Sequence, residues 1–179
     1  DKEKCITELL FWDAIFGSEV PIEIKENMDI PVVIMAGGTG TRLRPFTKIL
    51  PKPLIPIGDR SVMEVVIDKF REYGIGEYYI SLYHKSKMIK AYLDELNLPY
   101  SINYIEESEP LGTAGALSRL QSSIKGSFFL TNCDTILSAN YGEILSYHKK
   151  EKNDITVVVA NKTFSIPYGV SGFKKDKFY

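Results

Sequence analysis

Four cations, Arg42, Arg44, Lys48 and Lys52, follow the glycine-rich stretch Gly37-Gly38-Thr39-Gly40-Thr41 in one short segment. Glycines let a backbone approach a ligand closely and aim its N–H groups at anionic oxygens. Pro45, Pro51, Pro53 and Pro56 are interleaved with the cations. Proline cuts backbone entropy and holds a non-helical segment in a fixed shape. Cations on a solvated face need no such rigidity, whereas a triphosphate does, so the segment reads as a phosphate site. Two familiar phosphate loops do not fit it. The dinucleotide fingerprint needs a third glycine where Leu43 stands, and a Walker A motif needs Gly-Lys-Ser/Thr where the chain has Gly40-Thr41-Arg42.

Other reactive residue types carry weaker signals. Cys133, in Phe128-Phe129-Leu130-Thr131-Asn132-Cys133-Asp134, has no neighbouring His and reads as a small buried residue rather than a nucleophile. Asp134 by itself reads as a cap on the segment that follows. Glu107 lies in an acidic run with Glu106 and Glu109, which by itself suits a solvent-facing charge. His84 and His148 lack partners at metal-ligand spacing, and Trp12 reads as packing. Lys149-Lys150-Glu151-Lys152 is a solvated helix end whose positive charge suits the C-terminal dipole.

The elements that must position these residues alternate in type. Ile30 to Ala36 is a continuous apolar run ending in Gly37-Gly38, as expected of a central strand buried on both faces. Ser61-Val62-Met63-Glu64 is a capping box opening a helix with Met63, Val66, Ile67 and Phe70 on one face, ended by Gly74. A strand over 77–83, a helix over 87–96, a strand over 100–105 and a helix over 112–121 with Leu117 and Leu120 inward follow. Next come a strand over 127–131, a helix over 141–150 capped by Asn140, and an apolar strand over 155–160. This is an α/β pattern of βαβ units, with a parallel sheet and helices on both faces. Ligands of such sheets sit beyond the carboxyl ends of the strands. The glycine loop, the turn Pro110-Leu111-Gly112-Thr113 and Asn132-Cys133-Asp134 all fall there.

Composition sets bounds on the class. A chain of 179 residues with 44% hydrophobic and 25% charged residues suits one domain with a sizeable core. A net charge of -1 gives no electrostatic footprint for nucleic acid, so the anion to be bound is a small ligand. Two cysteines, Cys5 and Cys133, make a disulfide framework improbable and point to a reducing, cytoplasmic setting. No apolar run reaches the roughly 20 residues of a membrane span, and no signal peptide is evident.

The stretches Met35-Ala36-Gly37-Gly38-Thr39-Gly40-Thr41-Arg42-Leu43-Arg44-Pro45-Phe46-Thr47 and Pro51-Lys52-Pro53-Leu54-Ile55-Pro56-Ile57-Gly58 resemble the signature of the sugar-1-phosphate nucleotidylyltransferases (NDP-sugar pyrophosphorylases). The similarity continues through Glu106-Glu107-Ser108-Glu109-Pro110-Leu111-Gly112-Thr113-Ala114-Gly115 and Asn132-Cys133-Asp134 to Pro167-Tyr168-Gly169-Val170. The resemblance implies a Rossmann-like three-layer sandwich with a mostly parallel central sheet, the nucleotide-diphospho-sugar transferase fold. It implies transfer of a nucleotidyl group from an NTP to a sugar 1-phosphate, with Mg2+ as cofactor and pyrophosphate as the second product. Ala36, Gly37 and Gly38 would meet the base and ribose, and Thr39, Gly40, Thr41 and Arg42 the phosphates, with Gly112 and Thr113 also on the nucleotide. Lys52 would lie between the α-phosphate and the sugar phosphate, Asp134 would bind the metal, and Tyr168 and Gly169 would touch the sugar. Glu107 stands where thymidylyl- and uridylyl-type members commonly present Gln to the base. A carboxylate only accepts hydrogen bonds, and guanine offers adjacent N1–H and N2–H donors, so GTP is the expected donor.

Family members run well beyond this length, so the chain reads as a piece truncated at the C-terminus, expected to be weak or inactive alone. Residues 1–29 read as the tail of an upstream module plus a linker, and 30–179 as the N-terminal part of the nucleotidylyltransferase domain. Leu10 to Gly17 resembles the tail of the CBS pair that precedes this domain in a subgroup similar to mannose- and heptose-phosphate guanylyltransferases. The expected partners are NTP and sugar 1-phosphate, with no nucleic acid and no membrane; a homo-oligomer is compatible with the sequence. Two alternatives stay open: a nucleotidylyltransferase for a non-sugar phosphate such as choline phosphate, and a non-catalytic regulatory paralogue.

Overall fold

An apolar run without polar alternation must be covered on both faces. The run after Pro31 forms β1 (Val32–Met35), buried throughout. The structure is a computed structural model describing residues 22–109, 112, 114–120, 122–161, 163, 173–174 and 177–178. After β1 the chain passes through three 3-10 turns, Thr41–Leu43, Phe46–Lys48 and Lys52–Leu54, into a ribbon of β2 (Pro56–Ile57) and β3 (Arg60–Ser61). Ser61 then caps α1 (Val62–Arg71). Its hydroxyl accepts from the Glu64 N–H at 3.3 Å, while its own N–H donates to the Glu64 carboxylate at 2.9 Å. The predicted capping box is formed, and Met63, Val66, Ile67 and Phe70 are the buried face. Burying side chains of this size stabilises the fold by roughly 1.5–3 kcal/mol each.

β4 (Glu77–Leu82), α2 (Ser86–Glu95), β5 (Ser101–Glu106), β6 (Phe129–Asn132) and α3 (Tyr141–Glu151) follow. Asn140 caps α3 as predicted, accepting from the Glu143 N–H at 3.2 Å. Farther on, β7 (Phe173–Lys174) pairs antiparallel with β8 (Lys177–Phe178). The main sheet has the order β5-β4-β1-β6, every pair parallel.

Alternation along the strands divides the core in two. Val32, Ile34, Tyr78, Ile80 and Leu82 pack against residues of α1, α2 and α3, while Val33, Met35 and Tyr79 face the other way with Ile105, Ala116 and Leu120. Among the described residues the three α-helices pack on one face of the mostly parallel sheet. The opposite face carries the segment expected as a helix over 112–121, and this forms only a 3-10 turn, Gly115–Arg119. Gly112 at φ 81 and Ala114 at φ -134 interrupt helical geometry before it can propagate. Ala116 and Leu120 are nevertheless buried, and Leu117 packs beside them.

The expected strand over 155–160 is not formed. Ile155, Val157 and Val159 are exposed, with 80%, 73% and 80% of their surface in solvent. β-branched residues favour strands only where a ladder and a packed surface receive them, and among the described residues no strand pairs there.

The stretch read as a linker is docked where it is described. The Lys25 N–H donates to the Glu72 carbonyl at 2.7 Å and the Met28 N–H to the Tyr73 carbonyl at 2.9 Å, and Met28 is buried. Tyr73 in turn packs edge-on to Tyr141 and donates its hydroxyl to the Ala139 carbonyl at 3.2 Å. Tyr141 also stacks on Phe70, ring centroids 4.5 Å apart, and packs edge-on against Phe129. This aromatic cluster fixes the segment that leaves the end of β6.

Candidate active site

The strand order reverses at β1, whose successor β4 lies on one side and β6 on the other. A crevice therefore opens at the carboxyl ends of β1 and β6. The four strands end nearly level there. Met35 stands opposite both Ser81 and Asn132, and Leu82 opposite Glu106. The ladder runs one residue further: Ala36 donates to the Ser81 carbonyl at 2.9 Å, Cys133 to Met35 at 3.2 Å, and Glu107 to Leu82 at 2.8 Å. Ala36, Glu107 and Cys133 are thus held by the sheet, and Gly37 and Asp134 are the first residues beyond it.

The glycine loop and the cation-proline segment are locked to each other. Gly40 has φ 64, and a Cβ there would lie 2.8 Å from Thr47 Cγ2 and 3.2 Å from Lys52 Cβ, so glycine is required on both counts. Buried Thr47 donates its hydroxyl to the Gly40 carbonyl at 2.8 Å. Pro51 and Pro53 are fully buried on either side of Lys52, and Leu54 anchors the same turn. The prolines therefore act as packing anchors as well as restricting the backbone. With the segment fixed, Lys52 Nζ lies 2.5 Å from Asp134 Oδ2, both groups half-exposed at the crevice. Arg42, Arg44 and Lys48 are exposed on the same segment. Thr39 and Thr41 are exposed beside Gly40, and Gly38 is exposed with open space where a Cβ would be.

Glu107 is not the solvent-facing charge that its acidic neighbours suggest. It is buried, it accepts a hydrogen bond from the Ser81 hydroxyl, and its Oε1 lies 2.9 Å from where a Cβ on Gly37 would be. The carboxylate therefore packs directly on the glycine loop. The chain after it is held by Arg119, which donates to the Glu106 carbonyl and, at 3.3 Å, to the Ser108 hydroxyl.

Cys133 is buried as expected, and burial first of all pushes its thiol up to about 12, against a smaller opposing pull from Lys52. Among the described residues, no three His, Cys, Asp or Glu side chains assemble into a metal cage. Asp134 is a lone hard oxygen donor, which fits magnesium: that ion keeps several waters and takes one or two carboxylates plus substrate phosphates. Gly112 is exposed with φ 81. Thr113, Tyr168 and Gly169 lie outside the described residues. Sequence reasoning did not single out Ser81, Thr47 or Lys85. Their signals are tertiary, and only Thr47 lies inside the glycine-loop motif.

Residues 31–177 match the model of the nucleotidyl transferase family, and the chain belongs to that family. It is 32% identical over 153 residues to the D-glycero-alpha-D-manno-heptose 1-phosphate guanylyltransferase of Campylobacter jejuni, covering 80% of this chain and 69% of that protein. It is 34% identical over 144 residues to the mannose-1-phosphate guanyltransferase of Aspergillus oryzae, covering 77% of this chain. The chain spans only 39% of the length of that relative and 41% of the Dictyostelium discoideum mannose-1-phosphate guanylyltransferase catalytic subunit beta. Among solved structures, HddC from Yersinia pseudotuberculosis complexed with GMP-PN superposes with a TM-score of 0.59 at 29% identity, covering 66% of this chain and 54% of that one. No helix among the described residues is long and apolar enough to cross a membrane.

Proposed function

We propose that this chain carries the donor side of a nucleotidylyltransferase that moves a nucleotidyl group from an NTP, GTP preferred, to a sugar 1-phosphate. The observation that carries the reading is the meeting of Lys52 and Asp134 at 2.5 Å beside a glycine loop, at the point where the strand order reverses. A sugar 1-phosphate is already an ionised nucleophile, so no general base is needed. Its oxygen forms a bond to the α-phosphorus as the bond to the bridging oxygen breaks, and pyrophosphate leaves with the electron pair. The protein must overcome repulsion between two anions and stabilise the charge that builds at the α-phosphate. Lys52 would do both, and Arg42 on the 3-10 turn Thr41–Leu43 would orient the phosphates. Asp134 would hold magnesium, which when bound supplies charge neutralisation across the phosphate oxygens.

Support for guanine comes from the chain itself and from its relatives. Glu107 is buried against Gly37, at the end of the loop expected to meet the base, and a carboxylate accepts the paired N–H donors of guanine's Watson–Crick edge. Several similar proteins are named guanylyltransferases of mannose or heptose 1-phosphate, which makes a phosphorylated sugar of that kind the first acceptor to try. On the same reading Tyr168 and Gly169 touch the sugar. The protein works in the cytoplasm, and residues before the nucleotidylyltransferase domain are the end of a CBS pair. The test is a screen of sugar 1-phosphates and choline phosphate against the four NTPs with magnesium, following pyrophosphate release by the full-length protein. Release with GTP and a hexose or heptose 1-phosphate is expected. Turnover only with choline phosphate, or none with any acceptor, would overturn the reading.

A further inference from the structure

Lys85 occupies a position that its own neighbourhood does not explain. It is the N-cap of α2, yet its side chain caps nothing there. Its backbone has φ 56 and ψ 34, a left-handed conformation that side chains other than Gly, Asn and Asp rarely adopt. Local physics at such a site selects Gly or Asn on both counts. The ammonium group is used elsewhere: it donates to the carbonyls of Thr47 at 3.2 Å, Lys48 at 2.8 Å and Ile49 at 2.7 Å. Those carbonyls lie at the C-terminal end of the 3-10 turn Phe46–Lys48, whose cap residue is Ile49. An ammonium has three donors and no acceptor, so this contact uses its full capacity.

We infer that Lys85 is a positioning residue for the phosphate loop, a role that rests on the donor-site reading above. The linkage is continuous. α2 follows β4 and is fixed to the sheet through Ile89 and Leu93 in the core. Lys85 at its start holds the carbonyls of 47–49. Thr47, so held, donates to the Gly40 carbonyl at 2.8 Å, and Gly40 has both Thr47 and the Lys52 stem against it. The glycine loop and Lys52 are therefore tied to α2 through the Lys85 side chain, in addition to the anchoring by β1 and the buried prolines. Without it the exposed segment 41–49 keeps Thr47 and the buried prolines as anchors but loses its tie to α2. Misplacement of about 1 Å in a phosphate-transfer site costs on the order of 10²-fold in rate.

The experiment uses full-length protein with K85M, K85G and K85R. K85G removes the side chain while relieving the left-handed backbone, so it separates positioning from folding. MgGTP affinity by titration calorimetry, KM for each substrate, melting temperature and proteolytic cleavage within 41–49 are measured. The expected result is MgGTP binding and KM weakened about tenfold or more in K85M and K85G. The sugar-phosphate KM changes less, K85G melts near wild type, cleavage in 41–49 is faster, and K85R recovers most of the affinity. Wild-type MgGTP binding in K85G, or a lowered melting temperature with both KM values unchanged, would overturn the role of Lys85 alone. If wild-type protein binds no NTP, the donor-site reading fails and this inference fails with it.

Discussion

Lys52 Nζ and Asp134 Oδ2, 2.5 Å apart, join the cation-proline segment after β1 to the first residue beyond the β6 ladder. Their side chains retain 27% and 38% of their exposure, so the pair is worth about 0–1 kcal/mol in water-screened surroundings. That is too little to make it a structural clamp. It is the right size for a contact that a substrate exchanges. On the proposed function a phosphate, which carries more charge than a carboxylate, would draw Lys52 away and leave Asp134 to hold a cation.

The exchange has a sign that can be measured. Asp134→Asn removes a negative charge from the crevice and releases Lys52 while keeping the side-chain shape. Turnover with magnesium should fall on the order of 10²–10³-fold, the loss typical of one charge-stabilising group. Nucleotide binding measured without magnesium should tighten, since the triphosphate no longer competes with Asp134 for Lys52. Weaker metal-free binding in the variant would contradict the exchange.

Glu107 and Gly37 should act as one unit in base selection. Glu107→Gln replaces an acceptor pair by one acceptor and one donor set, and GTP preference should fall by tenfold or more, about 1.4 kcal/mol, with UTP or dTTP use rising. Gly37→Ala places a methyl group 2.9 Å from Glu107 Oε1 and should displace the same carboxylate. The two effects on GTP preference should then be strongly non-additive in a double-mutant cycle. Independent effects, or unchanged nucleotide preference in Glu107→Gln, would remove Glu107 from base recognition.

Much of this site was legible in the chain because its motif is local and its frame is periodic. Met63, Val66, Ile67 and Phe70 recur at helical spacing, and Ser61 and Glu64 sit at capping-box spacing, so α1 could be read directly. The strands that deliver Ala36, Glu107 and Asp134 were legible as short apolar runs between helices. Burial of Glu107 was not, because it depends on Ser81 of a neighbouring strand, which the sequence separates widely from it. The 3-10 turn at 115–119 and the unpaired run at 155–160 were missed for a related reason. Glycine geometry stopped the first, and a strand pattern alone cannot supply the ladder partner the second needs. Lys85 was invisible, since its three acceptors are backbone carbonyls.

Cys133 should be chemically silent. Its thiol is buried and pushed up to about 12, so almost none is thiolate at neutral pH. Iodoacetamide at pH 7.5, read by mass spectrometry of the peptide containing Cys133, should leave native protein unmodified and label it only after denaturation. Rapid labelling of the native chain would show a thiol far more accessible than its packing allows.

Glu64 predicts how stability depends on pH. Burial is the largest influence on its carboxyl and pushes it up. Hydrogen bonds from the Tyr92 hydroxyl at 2.6 Å, the Ser61 hydroxyl at 2.7 Å and the Ser61 N–H at 2.9 Å, with Arg60 nearby, outweigh burial and hold it below the usual carboxylate range. Tyr92 responds in the matching direction: burial raises its phenol, and its hydrogen bond to Glu64 adds to that. A carboxyl depressed in the folded state contributes stability that is fully present above its unfolded value, about 4.3. That stability is lost as pH falls through the lower folded value. Glu64→Gln keeps the shape but loses the charge that these donors favour, and should cost about 1–2 kcal/mol at pH 7. The gap between wild type and variant, from urea midpoints between pH 7 and 3, should be constant down to about pH 5 and then close. The arrangement also links the cap of α1 to Tyr92 on α2, so Tyr92→Phe should reproduce part of the loss with the same pH dependence. A gap between wild type and Glu64→Gln that stays level to pH 3 would mean that the hydrogen bonds do not favour the charged form.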